Sequence, residues 1–106
     1  MYVILTSKPG QFRTEAGAGL QPVEAYDYLF YGRVRAQFVI AELQAETRVR
    51  LVDETEPVTV NLVPSKFLEK FDTLERARAE LRHLCSFGHM DAVLQPRALP
   101  PMPRAA

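Results

Sequence analysis

The sequence has no tryptophan, a single cysteine and no surplus of either charge: 13 Lys and Arg stand against 13 Asp and Glu in 106 residues. Each shortage excludes something. With Cys85 alone, no internal disulfide and no four-cysteine zinc or iron–sulfur site can form. Zero net charge argues against nucleic acid, whose binders carry a basic excess. No apolar run reaches the roughly 18 residues of a membrane-spanning helix. Met1–Thr6 is too short for a signal peptide and lacks its positive stretch. No membrane and a cytoplasmic location are therefore expected. No cofactor motif is found. Ser7-Lys8-Pro9-Gly10 and Gly17-Ala18-Gly19 have the glycines of phosphate loops, but not the Lys-Ser/Thr or the third glycine those loops need.

Hydrophobic residues make up 47 % and charged residues 25 %, which are globular values, and the length suits one domain. Tyr2–Ser7 reads as a strand that Pro9 and Gly10 stop. Lys8–Pro22 has no sustained period and reads as a long loop. Tyr26, Tyr28 and Phe30 share one face at period two, and Val34, Ala36, Phe38 and Ile40 alternate after them. This predicts a hairpin, with Gly32-Arg33 as a two-residue type II′ turn. A helical reading competes, with Pro22 at its first position and Gly32 beyond its end. Aromatic and β-branched content favours strands. Arg48–Asp53 and Val58–Leu62 alternate as two further strands joined by a polar turn, which places Arg50 across from Thr59 or Asn61.

Ser65–Phe71 reads as one or two helical turns capped by Ser65, with Phe67, Leu68 and Phe71 inward. A longer helix follows. Asp72 caps it with Glu75 three residues on, and Leu74, Ala77, Leu81, Leu84 and Cys85 form its apolar stripe. Arg76 and Glu80 stand at i,i+4 on its wet face, and Gly88 is placed to end it. From Gln95 onward four prolines and two arginines predict an irregular, mobile tail. The expected fold class is α+β: a small antiparallel sheet of about five strands covered on one face by a C-terminal helix. The expected organisation is one domain over 1–94 and a Pro/Arg-rich tail over 95–106.

Few residues suggest chemistry. His83, Cys85, His89 and Asp91 are metal-ligand types, but His83 and Cys85 point about 200° apart on a helix, so no metal site is expected. Cys85 on an apolar stripe is an inert thiol. Lys66, at a strand-to-helix junction, could contact an anion. No carboxylate pair or Ser/His/Asp arrangement stands out, so the expectation leans away from an enzyme. The leading reading is a small non-enzymatic accessory or protein-interaction module, a component or modulator of a metabolic enzyme system. Tyr31, Arg33 and Arg35 would meet a protein partner or a second copy, because Tyr and Arg most often anchor interfaces. The alternative is a small-molecule-binding domain or minor enzyme. Its ligand would lie between the sheet and the 8–22 loop, held by Arg13, Tyr26, Tyr28 and Arg35.

Overall fold

The computed structural model describes residues 1–55, 58–85 and 92–99. In chain order its elements are β1 (Tyr2–Ser7), β2 (Phe12–Glu15), β3 (Leu20–Phe30), β4 (Arg33–Leu43), β5 (Arg48–Asp53), β6 (Thr59–Pro64), a 3-10 turn (Ser65–Phe67), α1 (Leu74–Cys85) and β7 (Ala92–Arg97). The class is α+β, but with two antiparallel sheets rather than one of about five strands. Four strands run in the order β1-β4-β3-β7 and three in the order β2-β5-β6. β4 does not continue into β5 as a meander. It pairs with β1 instead, Ile40 facing Ile4. No helix among the described residues is long and apolar enough to cross a membrane.

The segment read as a loop over 8–22 contains a strand. Lys8-Pro9-Gly10-Gln11 turns the chain, closed by the Gln11 N–H donating to the Lys8 carbonyl at 3.0 Å. β2 follows and pairs with β5, Glu15 opposite Arg50. The two sheets meet at this corner. The Thr14 N–H donates to Ser7 Oγ at 2.9 Å and the Thr14 hydroxyl donates to the Thr6 carbonyl. Phe12-Arg13-Thr14-Glu15 has a single large apolar residue, too little periodicity to show as a strand.

Successive strand residues face opposite sides, and the core divides accordingly. On one face of the four-stranded sheet Val3, Leu5, Leu20 and Ala41 are buried with Val49 of β5, with Val39, Val63 and Leu68 packed against them. On the other face Ala36, Phe38 and Ile40 meet Ala77 and Leu81 of α1, with Tyr26, Tyr28 and Leu94 alongside. The helix thus covers one face and the second sheet part of the other. Two bulges adjust the alternation. Val23 is the extra residue between the pairs Pro22↔Ala41 and Glu24↔Ile40, and Arg35 between Tyr28↔Ala36 and Leu29↔Val34. A bulge shifts the facing of all that follows, which keeps Leu20, Pro22 and Ala25 all buried.

The hairpin turn lies one residue before the expected place. Phe30 pairs with Arg33, so Tyr31 and Gly32 are the loop residues, with φ of 51° and 74°. Two positive φ values make a type I′ turn, which matches the twist of the strands. The left-handed conformation costs a side-chain-bearing residue about 1–2 kcal/mol, so Tyr31 sits there against its own preference.

Other local expectations also shift. Thr73, not Asp72, caps α1: its Oγ1 accepts the Arg76 N–H at 3.1 Å. Arg76 pairs with Asp72 at 3.6 Å rather than with Glu80. Leu84 is 48 % exposed, and so is Phe67, at 72 %. Pro64 rather than Ser65 occupies the cap position of the 3-10 turn. Ser65 is buried instead, its Oγ accepting the Thr47 N–H at 3.0 Å. Arg50 stands opposite Leu62. Gln95, Pro96 and Arg97, read as the start of an irregular tail, form the second half of β7. A proline fits there because β7 is an edge strand. Gly88 and residues 100–106 lie outside the described residues, as do Glu56 and Pro57 of the β5–β6 turn.

α1 is tied to the sheet by charge as well as by packing. Arg78 forks onto Glu24 of β3 through Nε, at 2.9 Å, and through a second nitrogen, and also meets Glu75. The Arg78 hydrogen bonds hold the Glu24 carboxyl below its ordinary value against an opposing effect of burial, and the Tyr26 hydroxyl helps. A carboxylate lowered in the fold stabilises above its unfolded value and loses that contribution as pH falls through the folded one. Glu24→Gln is therefore expected to be less stable than wild type at pH 7, with the gap closing below about pH 4. Thermal melts across that range check this. A gap independent of pH would contradict the charged role of Glu24.

Candidate functional site

Two places collect functional side chains. The first is a cleft of about 530 Å3 between the sheets. Its apolar lining comes from Leu5, Pro22, Ala25 and Val39, with Ala16 from the segment after β2. Strand alternation puts Ser7 and Gln37 on the same face as Leu5 and Val39. Arg13, Thr14, Glu15, Phe38, Arg50 and Arg97 complete the lining. Glu15 lies 3.4 Å from Arg13 and 3.6 Å from Arg50. Arg13 also meets Glu54 at 3.4 Å. Across the cleft, Asp27 receives Arg97 at 3.3 Å and the Gln37 amide at 3.2 Å.

The second place is the tip of the β3–β4 hairpin. Tyr31 is 69 % exposed and meets Phe30 edge-on, ring centroids 4.5 Å apart. The Arg35 guanidinium lies over the Phe30 ring, 5.7 Å from its centroid. Arg33 and Arg35 are exposed, and Val34 is partly so. Neither arginine pairs with a carboxylate among the described residues.

No protein-family model, curated protein or solved structure matches the chain. The two places must be judged on their own chemistry.

Of the four ligand residues expected from sequence, Arg13 alone lines the cleft. Tyr26 and Tyr28 belong to the opposite, helix-covered face. The Tyr26 hydroxyl donates to Glu24 at 2.8 Å, and burial first, then Glu24, pushes its pKa up. Tyr28 and Arg35 line a separate hollow of about 380 Å3 with Lys8, Gln11 and Cys85. The three residues expected to meet a partner, Tyr31, Arg33 and Arg35, do come together at the tip. Sequence reasoning passed over Arg50, Arg97, Ser7 and Gln37. Strands distant in sequence bring them together, and no local pattern marks such a set.

Burial pushes the Cys85 thiol up. That disfavours the reactive thiolate at neutral pH. Among the described residues no three His, Cys, Asp or Glu side chains gather to hold a metal ion. His89 and Asp91 lie outside the described residues. Lys66 Nζ sits over the Phe67 ring at 5.3 Å from its centroid. It lies away from the cleft.

Proposed function

We propose that the chain is a small non-enzymatic interaction module whose β3–β4 hairpin tip docks on an acidic surface of another protein, as an accessory component of an enzyme system would. The observation that carries this is Tyr31. A large aromatic, 69 % exposed, sits in a left-handed turn position that disfavours it. Strain kept at an exposed position points to function rather than folding. The flanking Arg33 and Arg35 lack carboxylate partners among the described residues, so an acidic surface complements them. Charge also speaks against two copies meeting tip to tip, since four guanidiniums would then converge. β6 supports the same class of function. Its Val60 and Leu62 are 48 % and 54 % exposed on an uncharged edge, and soluble proteins ordinarily protect such edges.

The test uses tagged full-length chain isolated from its native host, with the retained partner quantified. Tyr31→Ala with Arg35→Ala should cut retention by at least about tenfold, the scale of lost hot-spot residues. Retention by wild type should fall as salt screens the contact. A double variant with a native circular dichroism spectrum that keeps its partner would remove the proposal. A dimer of this chain that the same substitutions abolish would replace the acidic partner by a second copy.

A second reading is favoured by the cleft. Its volume is that of a small-molecule site, and Arg13, Glu15, Ala16 and Pro22 of the 8–22 segment line it. A module of this kind could carry a ligand of its own.

A further inference from the structure

We infer that the cleft takes a small organic monoanion, a carboxylate or sulfonate with an apolar body. This rests on the second reading above and names the ligand chemistry that the cleft would select. The interior is apolar: Leu5, Ala16, Pro22, Ala25 and Val39 offer no charge and no hydrogen bond from their side chains. An uncharged hydrocarbon or aromatic body fits it. The lining holds three guanidiniums, Arg13, Arg50 and Arg97, and one carboxylate, Glu15, while Glu54 and Asp27 pair with Arg13 and Arg97 from outside it.

Glu15 shows where an anion would rest. A single carboxylate lies within 3.4 Å of Arg13 and 3.6 Å of Arg50, so the two arginines already converge on a carboxylate-sized position. Those contacts are long and half-exposed, with 50 %, 56 % and 41 % of the Arg13, Arg50 and Glu15 side chains accessible. Pairs of that kind contribute little, so a ligand anion can share or take the position at small cost. Ser7 adds a neutral donor. Its Oγ accepts the Thr14 N–H, which leaves its hydroxyl proton without a partner among the described residues. Gln37 donates its amide to Asp27. Asp27 is thereby held by Gln37 and Arg97 together, which keeps its charge from repelling an anion.

A neutral ligand would leave the arginines to their weak internal pairs and gain only the apolar contact. A dianion would bring two negative charges to a rim where Glu15, Glu54 and Asp27 already offset Arg13, Arg50 and Arg97. A monoanion whose charge lies at one end and whose body is apolar satisfies both parts.

Two fluorescent probes separate these terms. 8-Anilinonaphthalene-1-sulfonate has an apolar aromatic body and one sulfonate, and N-phenyl-1-naphthylamine has the same body without the charge. Titrated into the folded full chain, the sulfonate should bind saturably at one site, at least about tenfold tighter than the amine, as expected when a charged hydrogen bond is added. 2-Naphthoate should displace it. Arg13→Gln with Arg50→Gln should remove most of that preference. Glu15→Gln should tighten sulfonate binding, because it deletes the internal competitor. Equal affinity for the two probes, or sulfonate binding unmoved by the arginine changes, would overturn the anion specificity while leaving a ligand-binding cleft. Failure of both probes to bind the folded chain would remove the second reading itself.

Discussion

Leu81→Ala is expected to remove about 2–5 kcal/mol of folding stability, the cost of truncating a buried leucine and leaving its cavity. Leu81 is 1 % exposed and sits among Ala36, Phe38, Ile40 and Ala77. It is the largest side chain that α1 buries fully. The site has little room to collapse. Phe38 and Ile40 lie on β4, which is paired with β1 on one side and β3 on the other, so both strands would have to shift. Small domains hold only about 5–15 kcal/mol in total, so this one change would consume a large part of it. Leu84, in the same helix but half-exposed, is the internal control, and its alanine variant should lose about 1 kcal/mol or less. Denaturant titration of the two variants reads the difference. A loss at Leu81 no larger than at Leu84 would show that the helix does not close the core.

Gly17→Ala is expected to destabilise by about 1–3 kcal/mol through overpacking. The reason is steric. A Cβ at Gly17 would stand 2.4 Å from the Arg48 carbonyl oxygen and 3.2 Å from Thr47 Oγ1. A flexible side chain could swing away, but a carbonyl cannot move without its strand. Arg48 begins β5 and pairs with Pro64 of β6, and the neighbouring Thr47 is bound to Ser65. Relief of the clash must therefore disturb the point where the second sheet is anchored. Gly17 also follows Ala16, which lines the cleft, so the variant should weaken probe binding along with stability. Thermal melts of the alanine variant test this, and a wild-type melting temperature would contradict the close approach.

Where an element carries its own pattern, the sequence shows it. β1 is a β-branched and aromatic run that a turn stops, β5 and β6 alternate, and α1 has a helical stripe, so these elements fall close to where their own residues place them. The long hairpin is also legible, because aromatic and β-branched residues outweigh the competing helical reading between Pro22 and Gly32. Its turn is not, because a glycine after a tyrosine fits either of two registers. The choice is made by pairing along both strands and by bulges at Val23 and Arg35, none of which has a local signature. β2 and β7 escape notice for a different reason. Each is short, and each is completed by a partner far away in sequence, β5 for one and β3 for the other. Pro96 further disguises β7, although it sits at the one kind of strand that tolerates it.

The candidate sites divide in the same way. The tip is a local feature, so Tyr31, Arg33 and Arg35 could be grouped from their adjacency. The cleft is assembled from β1 through β5 and from β7, and Arg13 alone was accessible to sequence reasoning. Core packing is the default reading of the aromatic row, and a ligand role for Tyr26 and Tyr28 belongs to the alternative. Their row lies under α1, where Glu24 and Arg78 occupy the Tyr26 side and Leu81 and Leu94 fill the space beside them. An aromatic row on one strand face says that the face is covered. It does not say by what.

The most direct measurement of the central claim is amide hydrogen exchange on the chain alone and in the assembly purified from its native host. The account predicts added protection across Leu29–Arg35 in the assembly, with β1 and α1 exchanging as in the free chain, because the tip docks and the helix-covered face is already closed. Unchanged exchange at the tip, or new protection centred on α1, would contradict it.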